Sequence, residues 1–279
     1  MNNPISTPPN RGVSVNAQNI CVGYGDNIII DDLSVDFPSG EITTIIGPNG
    51  CGKSTLLRAV SRLIPLRQGT VTVDGKDATT MKRKNLAKTV GVLPQTPSAP
   101  EGLLVSDLVA RGRHPHQSWI NQWSAADEQE VLRALELTNT AHLAERSLEA
   151  LSGGQRQRVW ISMVLAQQTD VLFLDEPTTY LDLSHSIDVL NLVTRLKHDL
   201  GRTIVMVLHD LNLAIRYSDH LVVMKDGAIH ASGSPAQVIT PELLSEVFNL
   251  DAHVNPDPVM SEARGTTVPL IVPAAPPGM

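Results

Sequence analysis

The chain of 279 residues carries 22 Lys+Arg against 29 Asp+Glu, a net charge of −7, with 42% hydrophobic and 18% charged residues. That balance describes a core-forming protein long enough to bury roughly 70–75% of its unfolded surface in one large domain or two small ones. It argues against a general nucleic-acid binder, which needs a basic excess to replace counterions.

Met1 to Gly12 holds three prolines and no apolar stretch, so it reads as a loose, disordered tail over residues 1–12 rather than a secretory or transit segment. Period-two patterns follow at Val13 to Val22 and Leu33 to Phe37, then a Pro38-Ser39-Gly40 turn, and Ile42 to Ile46 runs into a glycine-rich segment. Val71 to Val73 before Asp74-Gly75 predicts a hairpin, and Val90 to Leu93 a strand stopped by Pro94. The N-terminal part is therefore expected to form a mixed sheet. From Pro97 to Gln168 the pattern turns helical, with Ser124-x-x-Asp127 as a capping-box start and Val131, Leu132 and Leu135 on one face.

Strand character returns at Val171 to Leu174. A long helix follows, with Leu183, Ile187, Leu190, Val193, Leu196 and Leu200 three or four apart and Gly201 as its stop. Thr203 to Leu208 is another strand. Beyond Leu250 the chain is proline-rich, with one apolar piece at Val268 to Val272. No repeat is visible, and the apolar runs are too short for a spanning helix. The two cysteines, Cys21 and Cys51, form no C-x-x-C and fit a reducing compartment.

Gly47-Pro48-Asn49-Gly50-Cys51-Gly52-Lys53-Ser54 fits G-x-x-x-x-G-K-[ST] after a predicted strand and opens a helix through Thr55. Glycines there let backbone N–H groups curl around phosphate oxygens, while the helix N-terminus adds partial positive charge. Lys53 reaches the outer phosphates and Ser54 offers its hydroxyl to Mg²⁺. The apolar run Val171 to Leu174 ends in Asp175 and Glu176, two carboxylates at the carboxyl edge of a sheet. Asp175 suits Mg²⁺, and Glu176 suits the orientation and deprotonation of water.

Leu151-Ser152-Gly153-Gly154-Gln155 precedes a second helix, where Ser152 can N-cap and two glycines expose amides, a second anion receptor with no lysine. One phosphate loop and one such receptor suggest that each copy of the chain supplies half a site. The nine histidines give no zinc pattern: His114-x-His116 is interrupted by Pro115 and has no partner at ligand spacing. Cys51, inside the phosphate loop, reads as a small filler.

With these motifs in this order, the sequence resembles the ATP-binding subunits of ABC transporters from about Val13 to Pro273. The resemblance implies an α/β P-loop NTPase with a mixed-sheet core, an ATPase domain over 13–250 with a helical subdomain inserted at about 97–168, and a C-terminal extension over 251–279. It makes Gly47 to Thr55 a Walker A, Leu151 to Gln155 a signature motif, Val171 to Glu176 a Walker B and Thr179 to Asp182 a D-loop. Gln95 becomes the Q-loop glutamine that offers an oxygen to Mg²⁺, His209 the switch histidine facing the γ-phosphate, and Tyr24 the aromatic that stacks on adenine.

The family pattern also implies an ATP-bound head-to-tail homodimer, separate integral permease subunits, and a place at the cytoplasmic face of the membrane. Arg111 to His116, Leu181 to His185, Asp257 to Val259 and Pro269 to Pro273 resemble importer subunits for iron(III)-siderophores, served by a periplasmic or lipoprotein siderophore-binding protein. Vitamin B12, haem or another metal is the related alternative cargo. A soluble ABC-type clamp on DNA or ribosomes is the rival class. It is disfavoured by a single P-loop, no sustained heptad and no basic stripe.

Overall fold

The computed structural model describes residues 12–118 and 122–274. The expected tail over residues 1–12 lies, but for Gly12, outside the described residues. In chain order the strands are β1 (Val15–Tyr24), β2 (Asn27–Phe37), β3 (Ile42–Ile46), β4 (Gln68–Val73), β5 (Lys76–Asp77), β6 (Val90–Leu93), β7 (Val171–Asp175), β8 (Thr203–Val207), β9 (His220–Lys225), β10 (Ala228–Gly233), β11 (Ala252–Pro256) and β12 (Pro269–Pro273). The α-helices are α1 (Lys53–Val60), α2 (Arg83–Leu86), α3 (Val105–Ala110), α4 (Ala125–Leu137), α5 (Gly153–Ala166), α6 (Leu183–Leu200), α7 (Leu211–Tyr217), α8 (Pro235–Val238), α9 (Pro241–Phe248) and α10 (Pro258–Arg264).

The N-terminal strands do not share one sheet. β2, β1, β4 and β5 form an antiparallel sheet, while β3 and β6 join a second sheet in the order β10, β9, β3, β8, β7, β6. In that second sheet β3 lies parallel to β8 and β9, β7 lies parallel to β6 and β8, and only β10 runs antiparallel. β3, β7 and β8 are buried along their whole lengths, which is why β7 and β8 read as near-continuous apolar runs rather than alternations, while β3 buries Thr43 and Thr44 in its interior.

Alternate residues of these strands face two different cores. Leu172, Leu174, Ile204 and Met206 meet the helices, whereas Phe173, Val205 and Val207 meet α1 and the antiparallel sheet. Phe173 stands edge-on to Phe37 with ring centroids 6.4 Å apart, and each such side chain stabilises the fold by about 1.5–3 kcal/mol through burial.

Between β6 and β7 the only regular structure among the described residues is helical, apart from one bridge, Leu104 to Ser147. α4 starts on the capping box Ser124/Asp127. Its buried face is Val131, Ala134 and Leu135, whereas Leu132 is half exposed, one position off the stripe that the spacing suggested. α6 ends at Gly201 in the left-handed conformation. Leu183, expected on its apolar face, is 63% exposed because the first turn projects past the core.

The hairpin between β1 and β2 begins at Asn27 rather than Leu33. Ile28-Ile29-Ile30-Asp31-Asp32 shows no period-two signal because β1 and β2 slip register at bulges around Ile20 and Val22. Among the described residues no helix is long and apolar enough to cross a membrane.

Candidate functional site

The order β3, β8, β7, β6 sets four loops side by side at the carboxyl edge of the sheet. After β3 comes the glycine loop 47–52, after β8 His209, at the end of β7 Asp175 and Glu176, and after β6 Gln95. In α/β sheets this edge, next to a break in strand order, is where ligands sit.

The loop folds tightly because Gly47 has φ 154° and a Cβ there would run into the Met224 carbonyl and meet Cys51 Sγ at 2.7 Å. Cys51 is buried in the core below, the filler its position suggested. Gly52 caps α1 in a left-handed conformation, and the first-turn amides of α1 have no partners within the helix. Lys53 is only 5% exposed and makes no ion pair among the described residues. Its Nζ donates to the carbonyls of Gly47 at 2.9 Å and Pro48 at 2.8 Å. A buried ammonium held by neutral carbonyls alone leaves charge to be met by an anion.

A cavity of about 260 Å³ opens over this loop, lined by Tyr24, Ile29, Asn49, Gly50, Gly52, Lys53, Ser54, Thr55, Glu176 and His209. Tyr24 is 47% exposed at the hairpin tip, with its ring available to a ligand. Ser54 Oγ donates to Asp175 Oδ1 at 2.8 Å. A hydroxyl beside a carboxylate is hard-oxygen donor chemistry and fits Mg²⁺, which takes one or two protein oxygens and completes its shell with phosphate and water. Burial pushes the Asp175 carboxyl up, and the donors Ser54 and Arg58 offset this only in part.

Glu176 is the meeting point of three chain segments. Its Oε1 lies 2.7 Å from His209 Nε2, and its Oε2 accepts from Gln95 Nε2 at 2.6 Å and from Thr179 Oγ1 at 2.8 Å. Burial acts to raise its carboxyl, but the hydrogen bonds from Thr179, His209 and Gln95 and the His209 charge outweigh it and hold the group below the usual carboxylate range. Its φ of 53° is a left-handed backbone on a non-glycine residue, strain of a kind that persists where surrounding contacts over-determine a site.

The family pattern for "ABC transporter" matches residues 30–179. A protein of Bacillus subtilis (strain 168) named "Probable siderophore transport system ATP-binding protein YusV" is 52% identical over 246 residues, 88% of this chain and 90% of the relative. The chain belongs to the ABC transporter family.

The iron(3+)-hydroxamate import ATP-binding protein FhuC of the same organism is 48% identical over 92% of this chain and 96% of its own length. Among solved structures, an ABC transporter in an inward-facing conformation superposes with a TM-score of 0.80 at 27% identity, covering 95% of this chain and 98% of that one. The dimeric bacterial ABC transporter cassette MJ0796 superposes with a TM-score of 0.69 at 25% identity, over 79% and 98% of the two chains.

Measured against the residues that the ABC family resemblance nominates, one copy of the chain gathers some and leaves others apart. Gln95 reaches the cavity through Glu176 and touches neither Ser54 nor Asp175 by hydrogen bond. Ser152 and Gln155 close a capping box at the start of α5, with Gln155 N–H to Ser152 Oγ at 3.3 Å and Ser152 N–H to Gln155 Oε1 at 3.1 Å. They and Gly153 do not line the cavity. Gly154 packs on the His185 ring, where a Cβ would collide. Asp182 caps α6, accepting from the His185 N–H at 2.8 Å, with His185 Nδ1 2.7 Å away. It too lies outside the cavity lining.

Arg58, 3.5 Å from Asp175, escaped the sequence reading as a site residue, and Thr179 entered it only as the first residue of the D-loop, without its bond to Glu176. For Thr179 the signal was present as a hydroxyl three residues after the acid. For Arg58 it was only a basic residue one turn along α1.

Proposed function

We propose that this chain is the ATP-hydrolysing subunit of an importer that carries iron(III)-siderophore complexes through a separate membrane permease. The observation that carries the ATPase reading is the convergence of the glycine loop, the Ser54–Asp175 pair and the Glu176–His209 pair on one cavity. The cargo reading is supported by 48–52% identity, over nearly the full length of both partners, to subunits named for siderophore and iron(3+)-hydroxamate import.

In this reading Tyr24 stacks on the adenine, and the loop amides from Asn49 to Thr55 and the Lys53 ammonium hold the phosphates. Ser54 and Asp175 would hold Mg²⁺, which when bound neutralises charge on the outer phosphates. Glu176 orients an attacking water and takes its proton, and His209 stands beside it to donate toward the γ-phosphate. Thr179 fixes the carboxylate, and Gln95 links it to the helical segment that follows β6.

Ser152, Gly153, Gly154, Gln155 and Asp182 do not line their own cavity, which supports their serving the site of a second copy, and the related cassette MJ0796 has been solved as a dimer. The permease, a siderophore-binding protein and a station on the cytoplasmic face of the membrane complete the proposal.

The test is uptake of radiolabelled ferric siderophore in cells lacking this chain. Re-expression of the wild-type chain restores uptake and re-expression of Lys53→Ala does not. Undiminished uptake in the deletion strain would overturn the cargo assignment.

A further inference from the structure

The segment beyond Leu250 contributes nothing to the cavity, yet its two motifs both end on α7, the helix that begins two residues after His209. β11 and β12 pair antiparallel from Ala252 with Pro273 to Pro256 with Pro269, and α10 bridges them. Asn212, in the first turn of α7, grips β12 at two points. Its Nδ2 donates to the Ile271 carbonyl at 3.1 Å, and its Oδ1 accepts from the Ile271 N–H at 2.9 Å.

One turn further, Arg216 Nε lies 3.5 Å from Asp257 Oδ2. From α10, Arg264 donates to the carbonyls of Ser218 at 2.9 Å and Arg216 at 2.7 Å. Val268 and Ile271 share one core with Leu213, Ala214 and Ile215. The clasp therefore holds both ends of a seven-residue helix, which is too short to be stable alone.

His209 depends on that helix. Its side chain is 47% exposed and leans on Glu176. Its placement is therefore set by backbone: on one side β8, whose Val207 is paired with Ile45 and Asp175, and on the other Asp210, the N-cap of α7. The two-point bond from one side chain to one backbone residue adds to the burial of Leu213, Ala214 and Ile215 in fixing the rotation of α7 about its axis.

We propose that the C-terminal hairpin is a positioning clasp for His209, with Asn212 as the positioning residue that sets the imidazole against Glu176. The proposal rests on the role given to His209 above. It also gives the Asp257 to Val259 and Pro269 to Pro273 motifs a mechanical task within the ATPase.

The test is a double-mutant cycle on the full-length chain: single-turnover ATP hydrolysis by the wild type, Asn212→Ala, His209→Ala and the double variant, with ATP affinity measured for each. Asn212→Ala should slow hydrolysis about five- to twentyfold with ATP affinity within about twofold. Asn212→Asp, which keeps the acceptor for the Ile271 N–H, should fall between. In the His209→Ala background Asn212→Ala should add no further loss, because its effect passes through the imidazole.

Wild-type hydrolysis in Asn212→Ala beside an impaired His209→Ala, or a full multiplicative loss in the double variant, overturns the clasp alone. Wild-type hydrolysis in His209→Ala overturns the role of His209 and the clasp with it. If Asn212→Ala does not fold, Asn212→Asp and Arg216→Lys provide the same cycle.

Discussion

Glu176→Gln replaces one carboxylate oxygen by an amide nitrogen at a position where every neighbour is accounted for. Two donors converge on Oε2, from Gln95 at 2.6 Å and Thr179 at 2.8 Å, so the amide oxygen of glutamine would take that side. Its NH₂ would then face His209 Nε2, now 2.7 Å from Oε1, and the imidazole must present an unprotonated nitrogen there. The variant thus fits without repacking, and what it loses is charge and basicity. A positioned base contributes roughly 10²–10⁴ in rate, so hydrolysis should fall by that factor, about 2.7–5.4 kcal/mol in the barrier.

Lys53 and the loop amides keep their geometry in Glu176→Gln, so ATP affinity should stay within about threefold. A stalled ATP-bound pair of chains should also accumulate. Phosphate release, fluorescent-nucleotide titration and size-exclusion chromatography with ATP measure the three quantities. Hydrolysis at the wild-type rate with intact ATP binding would refute the assignment of Glu176 as base.

Lys53→Ala removes a buried ammonium held only by the Gly47 and Pro48 carbonyls; with a charged hydrogen bond to phosphate contributing about 1.5–3 kcal/mol, ATP affinity should drop by roughly 10–100-fold. An unchanged dissociation constant in calorimetry would count against it. Asp127→Asn should destabilise the helical segment by about 3 kcal/mol, lowering the melting temperature by roughly 5–10 °C, because it strips the carboxylate from the buried Arg113, 2.8 Å away, while the guanidinium keeps the Ala166 carbonyl and Gln168.

Burial acts to raise the Asp127 carboxyl, but its bonds from Ser124 and Arg113 win and hold it below the usual range. Its contribution is therefore present above the unfolded carboxylate value and lost as pH falls through the lower folded one, so wild type and variant should converge in acid. A difference in melting temperature independent of pH would sink that reading.

What could be read from the sequence was what lies close together along it. The glycine loop is eight consecutive residues following a strand, and its chemistry needs no tertiary information. Ser124/Asp127 and Gly201 were equally readable, because a capping box and a left-handed stop are contained within a few residues. Strand order was not. Nothing local says that β8 inserts between β3 and β7, although that insertion is what brings His209 beside Glu176.

The same limit hid the start of β2, whose bulges cancel the period-two signal. It also hid the solvent-facing first turn of α6, where Leu183 keeps helical spacing without a partner surface. In the sequence, Arg111 to His116 read as a family marker. In the fold Arg113 is 4% exposed and His116 Nε2 sits 2.8 Å from the Gln167 carbonyl, so the motif ties α3 to the end of α5.

These distances bear on how a nucleotide could move a second protein. Glu176 is held by groups from three places: Gln95 at the entrance to the helical segment, Thr179 before α6, and His209 before α7. A water or phosphate drawing on Glu176 competes with each of them, and of the three only Gln95 leads into the segment that carries Ser152 and α5. Loss of the 2.6 Å bond from Gln95 would therefore loosen that segment from the sheet edge while the clasp on α7 keeps His209 in register. Under the proposed function, a site wired this way would pass its state along one connection and insulate the other.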